Sequence, residues 1–165
     1  MSKNNNEKTN VCRLLDGKKI NYSEHCYPPE EAVSAIEVAA YLQEPPQRVY
    51  KTLVTVGKSG RYYVFVIPGP SELDLKKAAS AVGEKSVSML KSKELLPLTG
   101  YIHGGCSPIG MKKFFPTVLD VSASRLPTIY LSAGKRGHQI SLSPDELKKI
   151  IPFQFFPLTR ELPED

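Results

Sequence analysis

Two β-prone runs, Val49–Val56 and Arg61–Ile67, flank Gly57-Lys58-Ser59-Gly60, and this pair constrains the chain more than any other feature. Both runs are rich in Val, Tyr, Phe and Ile, and a four-residue connection holding two glycines is long enough only to fold one run back on the other. An antiparallel hairpin at this point leaves the rest of the chain to be built around a sheet. Further strands are expected at Lys19–Glu24, Thr117–Ser122, Thr128–Ser132, Gln139–Leu142 and Phe153–Leu158.

Helices are expected between them. Val11–Asp16 ends at Gly17, and Glu30–Leu42 carries Val33, Ile36 and Ala40 at helical spacing before Pro45-Pro46. Ser71 or Asp74 caps a helix running to Val82, with Gly83 behind it, and Lys91–Leu96 reads as another. Ser143-Pro144-Asp145-Glu146 has the pattern of a capping box with proline at the first helical position, opening a helix to Ile151. Several strands lie too close in sequence for helical crossovers. The expected fold is therefore α+β, with a mixed, largely antiparallel, curved and barrel-like sheet flanked by helices.

A length of 165 residues suits one domain, and the fourteen prolines never form a linker. Residues 1–9 read as a polar, disordered tail and 10–160 as the domain. The net charge of +5 inclines mildly toward a polyanionic partner. Three scattered cysteines without a CxxC pair support neither a zinc ribbon nor a thioredoxin-type site, and suit a reducing compartment. With no long apolar run, a soluble cytoplasmic protein is expected.

Three segments carry possible chemistry. Gly100–Lys113 includes His103-Gly104-Gly105-Cys106-Ser107-Pro108, where Met111 stands in place of the lysine a phosphate-binding loop requires. Its paired glycines can present backbone N–H groups to an oxyanion, or can simply form a tight connection. Ser132-Ala133-Gly134-Lys135-Arg136-Gly137 follows a strand and suits either a phosphate or a solvated turn. Lys51, early in the first hairpin strand, either extends to solvent or places a cation at a cavity mouth. His25, His103 and His138 lack metal-ligand spacing and form no legible triad; Cys106 is a nucleophile or a buried inert thiol.

Read in order, Val49–Val54, Leu73–Ala79, Thr99–Lys113 and Thr128–Gly137 resemble the YbaK-type Cys-tRNA(Pro) deacylases, free-standing relatives of the editing domain inserted in bacterial prolyl-tRNA synthetases. The likeness runs from about Ile20 to Ile151. It implies that Lys51 is the essential lysine and that the Gly104–Gly105 backbone holds the aminoacyl carbonyl. It places Ser132 on the substrate, with Tyr27, Ile102, His103 and Ser107 around the pocket, and gives Lys112, Lys113, Lys135 and Arg136 to tRNA phosphates. Ala133, Gln139, His103 and Cys106 depart from the family pattern near the pocket, so they bear on amino-acid specificity.

The implied partner is the tRNA acceptor end, with prolyl-tRNA synthetase as a second partner and neither DNA nor membrane; no metal and no cofactor is needed. The implied reaction is trans deacylation of Cys-tRNA(Pro), in which the substrate's own thiol attacks the ester and departs as a thiolactone. That makes the enzyme formally a lyase. Two alternatives stand beside it: a deacylase for another small amino acid, such as Ala-tRNA(Pro) hydrolysis by water, and a non-catalytic module that binds tRNA or a synthetase.

Overall fold

The first hairpin forms where the sequence places it. In the computed structural model, which describes residues 8–160, β2 (Tyr50–Gly57) pairs antiparallel with β3 (Tyr62–Pro68), with Val54 opposite Val64. β3 is buried along almost its whole length, and its residues divide by parity. Val64 and Val66 enter the larger core, while Tyr63, Phe65 and Ile67 enter a second one. A strand covered on both faces reads as a continuous apolar run, which explains the composition of Tyr63–Ile67.

β2 and β3 sit at the centre of a five-stranded sheet ordered β4-β2-β3-β5-β8, with β4 at Val87–Met89, β5 at Thr117–Asp120 and β8 at Gln154–Phe156. The β3–β5 and β5–β8 pairs are parallel, and the others antiparallel. A second, antiparallel sheet is ordered β1-β7-β6, from β1 (Ser23–Cys26), β6 (Ile129–Lys135) and β7 (His138–Leu142). The mixed, mostly antiparallel α+β character expected from sequence holds. The single curved, barrel-like sheet does not: the strands divide into two sheets, bridged at Val49–Tyr130, and neither strand order closes on itself. The larger core fills the space between the sheets and beneath α1 (Asn10–Gly17) and α5 (Pro144–Lys148). Complete burial of a side chain such as Leu15 or Leu131 contributes about 1.5–3 kcal/mol.

Local chemistry moves several element ends. Thr9 caps α1 by accepting from the Cys12 N–H, and Lys8 pairs with Asp16, so these two residues, assigned to the tail from sequence, belong to the helix start; residues 1–7 lie outside the described residues. α2 spans Ala35–Leu42 rather than starting at Glu30, because Ser34 and Glu37 form a reciprocal capping box. Its buried face is Val38 and Ala39, whereas Val33 and Ile36 are exposed. α3 (Leu75–Val82) has the expected Asp74 cap and a left-handed Gly83. α4 (Ser92–Thr99) runs through Pro97, past the expected end at Leu96. β5 stops at Asp120 because that carboxylate accepts from the Ser122 N–H and from the Leu158 N–H, ending the strand in a 3-10 turn. α5 closes at Lys148, short of Ile151. β4, only three residues long, has too little pattern to be seen in sequence.

Candidate active site

Where β2 begins, the chain is held from below. Arg48, in a 3-10 turn at Pro46–Arg48, pairs with Glu44 at 3.1 Å, donates to the Thr128 carbonyl and lies over the Tyr130 ring. Tyr130 in turn donates to Glu44 at 2.8 Å. This clamp fixes the approach to Lys51, whose side chain is half-buried and faces a cavity of about 320 Å³. Burial lowers the Lys51 pKa below its ordinary value, with Glu72 opposing the shift weakly. No carboxylate or carbonyl among the described residues pairs with its ammonium group. A half-buried cation left without a partner is available to an anionic ligand.

The opposite wall comes from the loop 100–113. Gly104 adopts φ +86°, and a Cβ there would lie 2.8 Å from Arg136 Nε. Glycine is favoured here by the left-handed backbone, and a β-carbon would also displace the Arg136 side chain. Arg136 donates from Nε and Nη2 to the His103 carbonyl, at 3.0 and 2.8 Å, and so ties the loop to the β6–β7 turn. The two glycines do different work. The Gly105 N–H donates to the Ile102 carbonyl at 3.0 Å, closing the turn, while the N–H of Gly104, a residue of the cavity lining, has no partner among the described residues.

Ser132 enters the same cavity from β6. The β6–β7 ladder shifts register between Ser132 and Lys135, and the Ser132 hydroxyl accepts from the Gly134 N–H at 3.1 Å, leaving its own proton free to donate. Ala133 is fully buried and lacks a positive φ, so this bulge needs no glycine at that position. Val33, just before α2, and Ile36, in its first turn, are exposed apolar residues that supply an apolar wall.

Thr52 and Gln139 both line the cavity, and among the described residues Thr52 Oγ1 and Gln139 Oε1 are buried without a hydrogen-bond partner. Unpaired buried oxygens are rare in folded proteins, and each retains the capacity to accept one more hydrogen bond. Gln139 is 6% exposed, and its Nε2 donates to the Tyr27 hydroxyl at 3.4 Å. Thr52 was not singled out by sequence, since an alternating strand gives no sign of which threonine lacks a partner.

Other expected site residues are placed differently. Tyr27 is buried behind Gln139, against Tyr41, rather than in the cavity wall. Ser107 is fully buried and accepts from the Ile109 N–H, which builds the turn; Ile102 is exposed and outside the cavity lining. His103 lines the cavity mouth. Lys112 donates to the Pro97 carbonyl at 3.4 Å. Lys113 borders a separate opening of about 940 Å³ with Arg61 and Phe114, which is larger but contains none of Lys51, Gly104 or Ser132. Lys135 and Arg136 are exposed at the turn above the Gly104 loop. Cys106 also borders the smaller cavity, yet burial pushes its thiol up to about 12, which disfavours the thiolate a nucleophile requires.

A half-buried lysine, a glycine whose N–H has no partner among the described residues and two buried oxygens likewise without one thus border a single small cavity. Residues 29–150 match the aminoacyl-tRNA editing domain model, and the chain belongs to that family of editing enzymes. It is 48% identical over 158 residues, covering 95% of this chain and 96% of the relative, to EbsC of Enterococcus faecalis, a candidate Cys-tRNA(Pro)/Cys-tRNA(Cys) deacylase. A proline–tRNA ligase of Fervidobacterium nodosum is 27% identical over 99 residues, which are 60% of this chain and 17% of that enzyme. Among solved structures, a candidate trans-editing enzyme for prolyl-tRNA synthetase superposes with a TM-score of 0.79 at 25% identity, over 94% of this chain and all of that one. No helix among the described residues is long and apolar enough to cross a membrane.

Proposed function

We propose that this enzyme deacylates Cys-tRNA(Pro) in trans, by substrate-assisted thiolactone formation. The observation that carries the reading is the convergence of Lys51, Gly104 and Ser132 on one cavity, beside a Cys106 thiol that burial keeps protonated. In this scheme the cysteinyl sulfur attacks the ester carbonyl carbon. The carbon–oxygen bond to the ribose breaks, and the departing sugar oxygen takes up the proton that the thiol gives up. The Gly104 N–H supports the developing oxyanion, and Lys51 offsets negative charge on the departing oxygen or on the terminal phosphate. The nucleophile travels with the substrate, so the cavity has no need of a triad.

Gln139 Oε1 and Thr52 Oγ1 are the acceptors for the substrate's α-ammonium group, the one strong donor every aminoacyl ester carries. Lys135, at the turn above the cavity, suits the acceptor-end phosphates, while Lys112 and Lys113 reach tRNA only if it extends over the α4 side of the loop. The similarity to prolyl-tRNA synthetase supports that synthetase as the partner that releases the substrate.

Deacylation of Cys-tRNA(Pro) beside Ala-tRNA(Pro), with the released product identified, tests the reading. Loss of cysteine as thiolactone, faster than any loss of alanine, is expected. Release of free alanine at a comparable rate would replace the thiol mechanism by attack of water. Binding of both without turnover would reduce the protein to a tRNA-binding module.

A further inference from the structure

On the opposite side of β7 from Gln139, sheet pairing assembles a cluster that linear spacing conceals. Glu24 and Cys26 are two residues apart on β1 and therefore share a face, and His138 on β7 is the direct cross-strand partner of Cys26. The Cys26 Sγ lies 3.6 Å from His138 Nδ1, and the Glu24 Oε2 lies 3.8 Å from the same nitrogen. One ligand atom from each of Glu24, Cys26 and His138 falls within 4.8 Å of the other two. Bonds of about 2.0–2.3 Å directed tetrahedrally would put neighbouring ligand atoms roughly 3.3–3.7 Å apart, so the three groups stand close to the edges of such a polyhedron.

We infer that Glu24, Cys26 and His138 form a binding site for a thiophilic divalent cation of the zinc class, separate from the editing cavity. Sulfur, imidazole nitrogen and carboxylate oxygen are the donor types zinc takes, and three protein ligands leave a fourth position for water. The surroundings fit this assignment. His138 is 3% exposed, so its ring cannot turn away freely, while Cys26 is exposed and gives the ion a way in. From α1, the Cys12 thiol lies 3.6 Å from Glu24 Oε2, where it donates to the carboxylate and steadies it. Lys135, paired with His138 across the hairpin, is the nearby cation that the Glu24 carboxylate must offset.

The ion would join β1, an edge strand of the three-stranded sheet, to β7. Since Gln139 follows His138 directly, holding the β1–β7 pair also fixes the backbone that presents Gln139 to the cavity.

The experiment titrates tag-free, metal-stripped full-length protein with Zn²⁺ by calorimetry, and with Co²⁺ as a spectroscopic probe. One ion per chain is expected, with the thiolate-to-cobalt charge-transfer band and intense ligand-field bands of a tetrahedral site, and with a higher Tm when zinc is present. Cys26→Ser, at an exposed position that should leave folding intact, is expected to abolish the charge-transfer band and weaken binding at least ~100-fold. Glu24→Gln, which replaces a charged oxygen ligand by a weaker neutral one, is expected to weaken it at least ~10-fold. Cys106→Ala, on the cavity side, should leave the cobalt spectrum unchanged. Absence of stoichiometric binding to the folded protein, or binding and spectra that survive Cys26→Ser, would overturn the site. Neither result depends on deacylation, so failure here leaves the editing reading standing.

Discussion

Arg136 grips the backbone carbonyl of His103 with two hydrogen bonds, from Nε at 3.0 Å and from Nη2 at 2.8 Å. The guanidinium thereby spends its fork on the protein and holds the peptide unit that carries the Gly104 N–H. Its sequence context suggested a phosphate contact; with these two donors engaged by the loop, we propose a positioning role. Arg136→Ala is expected to lower kcat by about 10-fold or more, as small misplacements of a reacting group do. The salt dependence of tRNA binding should change little. Arg136→Lys should not restore the rate, since an ammonium cannot reproduce the fork. A variant that loses tRNA affinity and salt dependence while kcat is kept would return Arg136 to phosphate binding.

Lys51→Met should separate stability from activity. Burial lowers the Lys51 pKa from its ordinary 10.5, so the unfolded chain holds this proton more tightly than the folded one. The charged lysine therefore costs stability at neutral pH, and the cost is relieved as pH rises through the folded pKa toward 10.5. The methionine variant is expected to melt higher than wild type at pH 7, with the gain shrinking in alkali, while deacylation falls roughly 10²-fold or more. Thermal melts across pH, paired with rate measurements, check both halves; a lower Tm at neutral pH would show that Lys51 stabilises the fold.

The alkaline limb of the deacylation profile should report the same group. If the cation is needed for turnover, the rate should decline with Lys51 ionisation at a pH below the 10.5 of an ordinary lysine. A profile that keeps rising through this range, after correction for spontaneous ester hydrolysis, would remove the cation from the mechanism.

Gly104→Ala and Gly105→Ala should differ. At Gly104 the left-handed φ of +86° costs a β-carbon about 1 kcal/mol, and that carbon would also press on the Arg136 Nε. At Gly105 the new carbon meets the Arg136 backbone N and the Lys135 Cα at 3.3 Å, both rigid, without a positive φ. Gly104→Ala is expected to lose roughly 10²-fold in kcat with the fold kept, because the free N–H moves; Gly105→Ala is expected to lose mainly stability. Circular dichroism melts beside single-turnover rates separate the two effects.

Gln139→Leu removes the unpaired oxygen and should raise KM for the aminoacyl ester more than it lowers kcat, by about 10-fold for a hydrogen bond to a charged group. Gln139→Glu keeps an acceptor there and should preserve binding of the ammonium group. Equal kinetics for the leucine variant and wild type would mean that the oxygen does not meet the substrate.

Much of the local structure was written in short-range chemistry. The Asp74 cap, the left-handed Gly83 and the Val49–Ile67 hairpin are decided by residues within a few positions of one another. The α2 boundary failed because the apolar spacing of Val33 and Ile36 imitates a core-facing helix stripe, when these residues form the cavity wall. Lys51, Gly104 and Ser132 were each visible as candidates, but only as three separate features with bland readings beside them.

What the sequence determined alone was the kind of parts: a β-rich α+β chain, its turn glycines, and four motif segments in an order that identifies the editing family. What tertiary structure decided was which parts meet. The division into two sheets, the different fates of the Gly104 and Gly105 N–H groups, and the pairing of Cys26 with His138 all depend on contacts between distant segments. Hydrogen-bond capacity is local, but whether a donor or acceptor is already used depends on what folding brings to it.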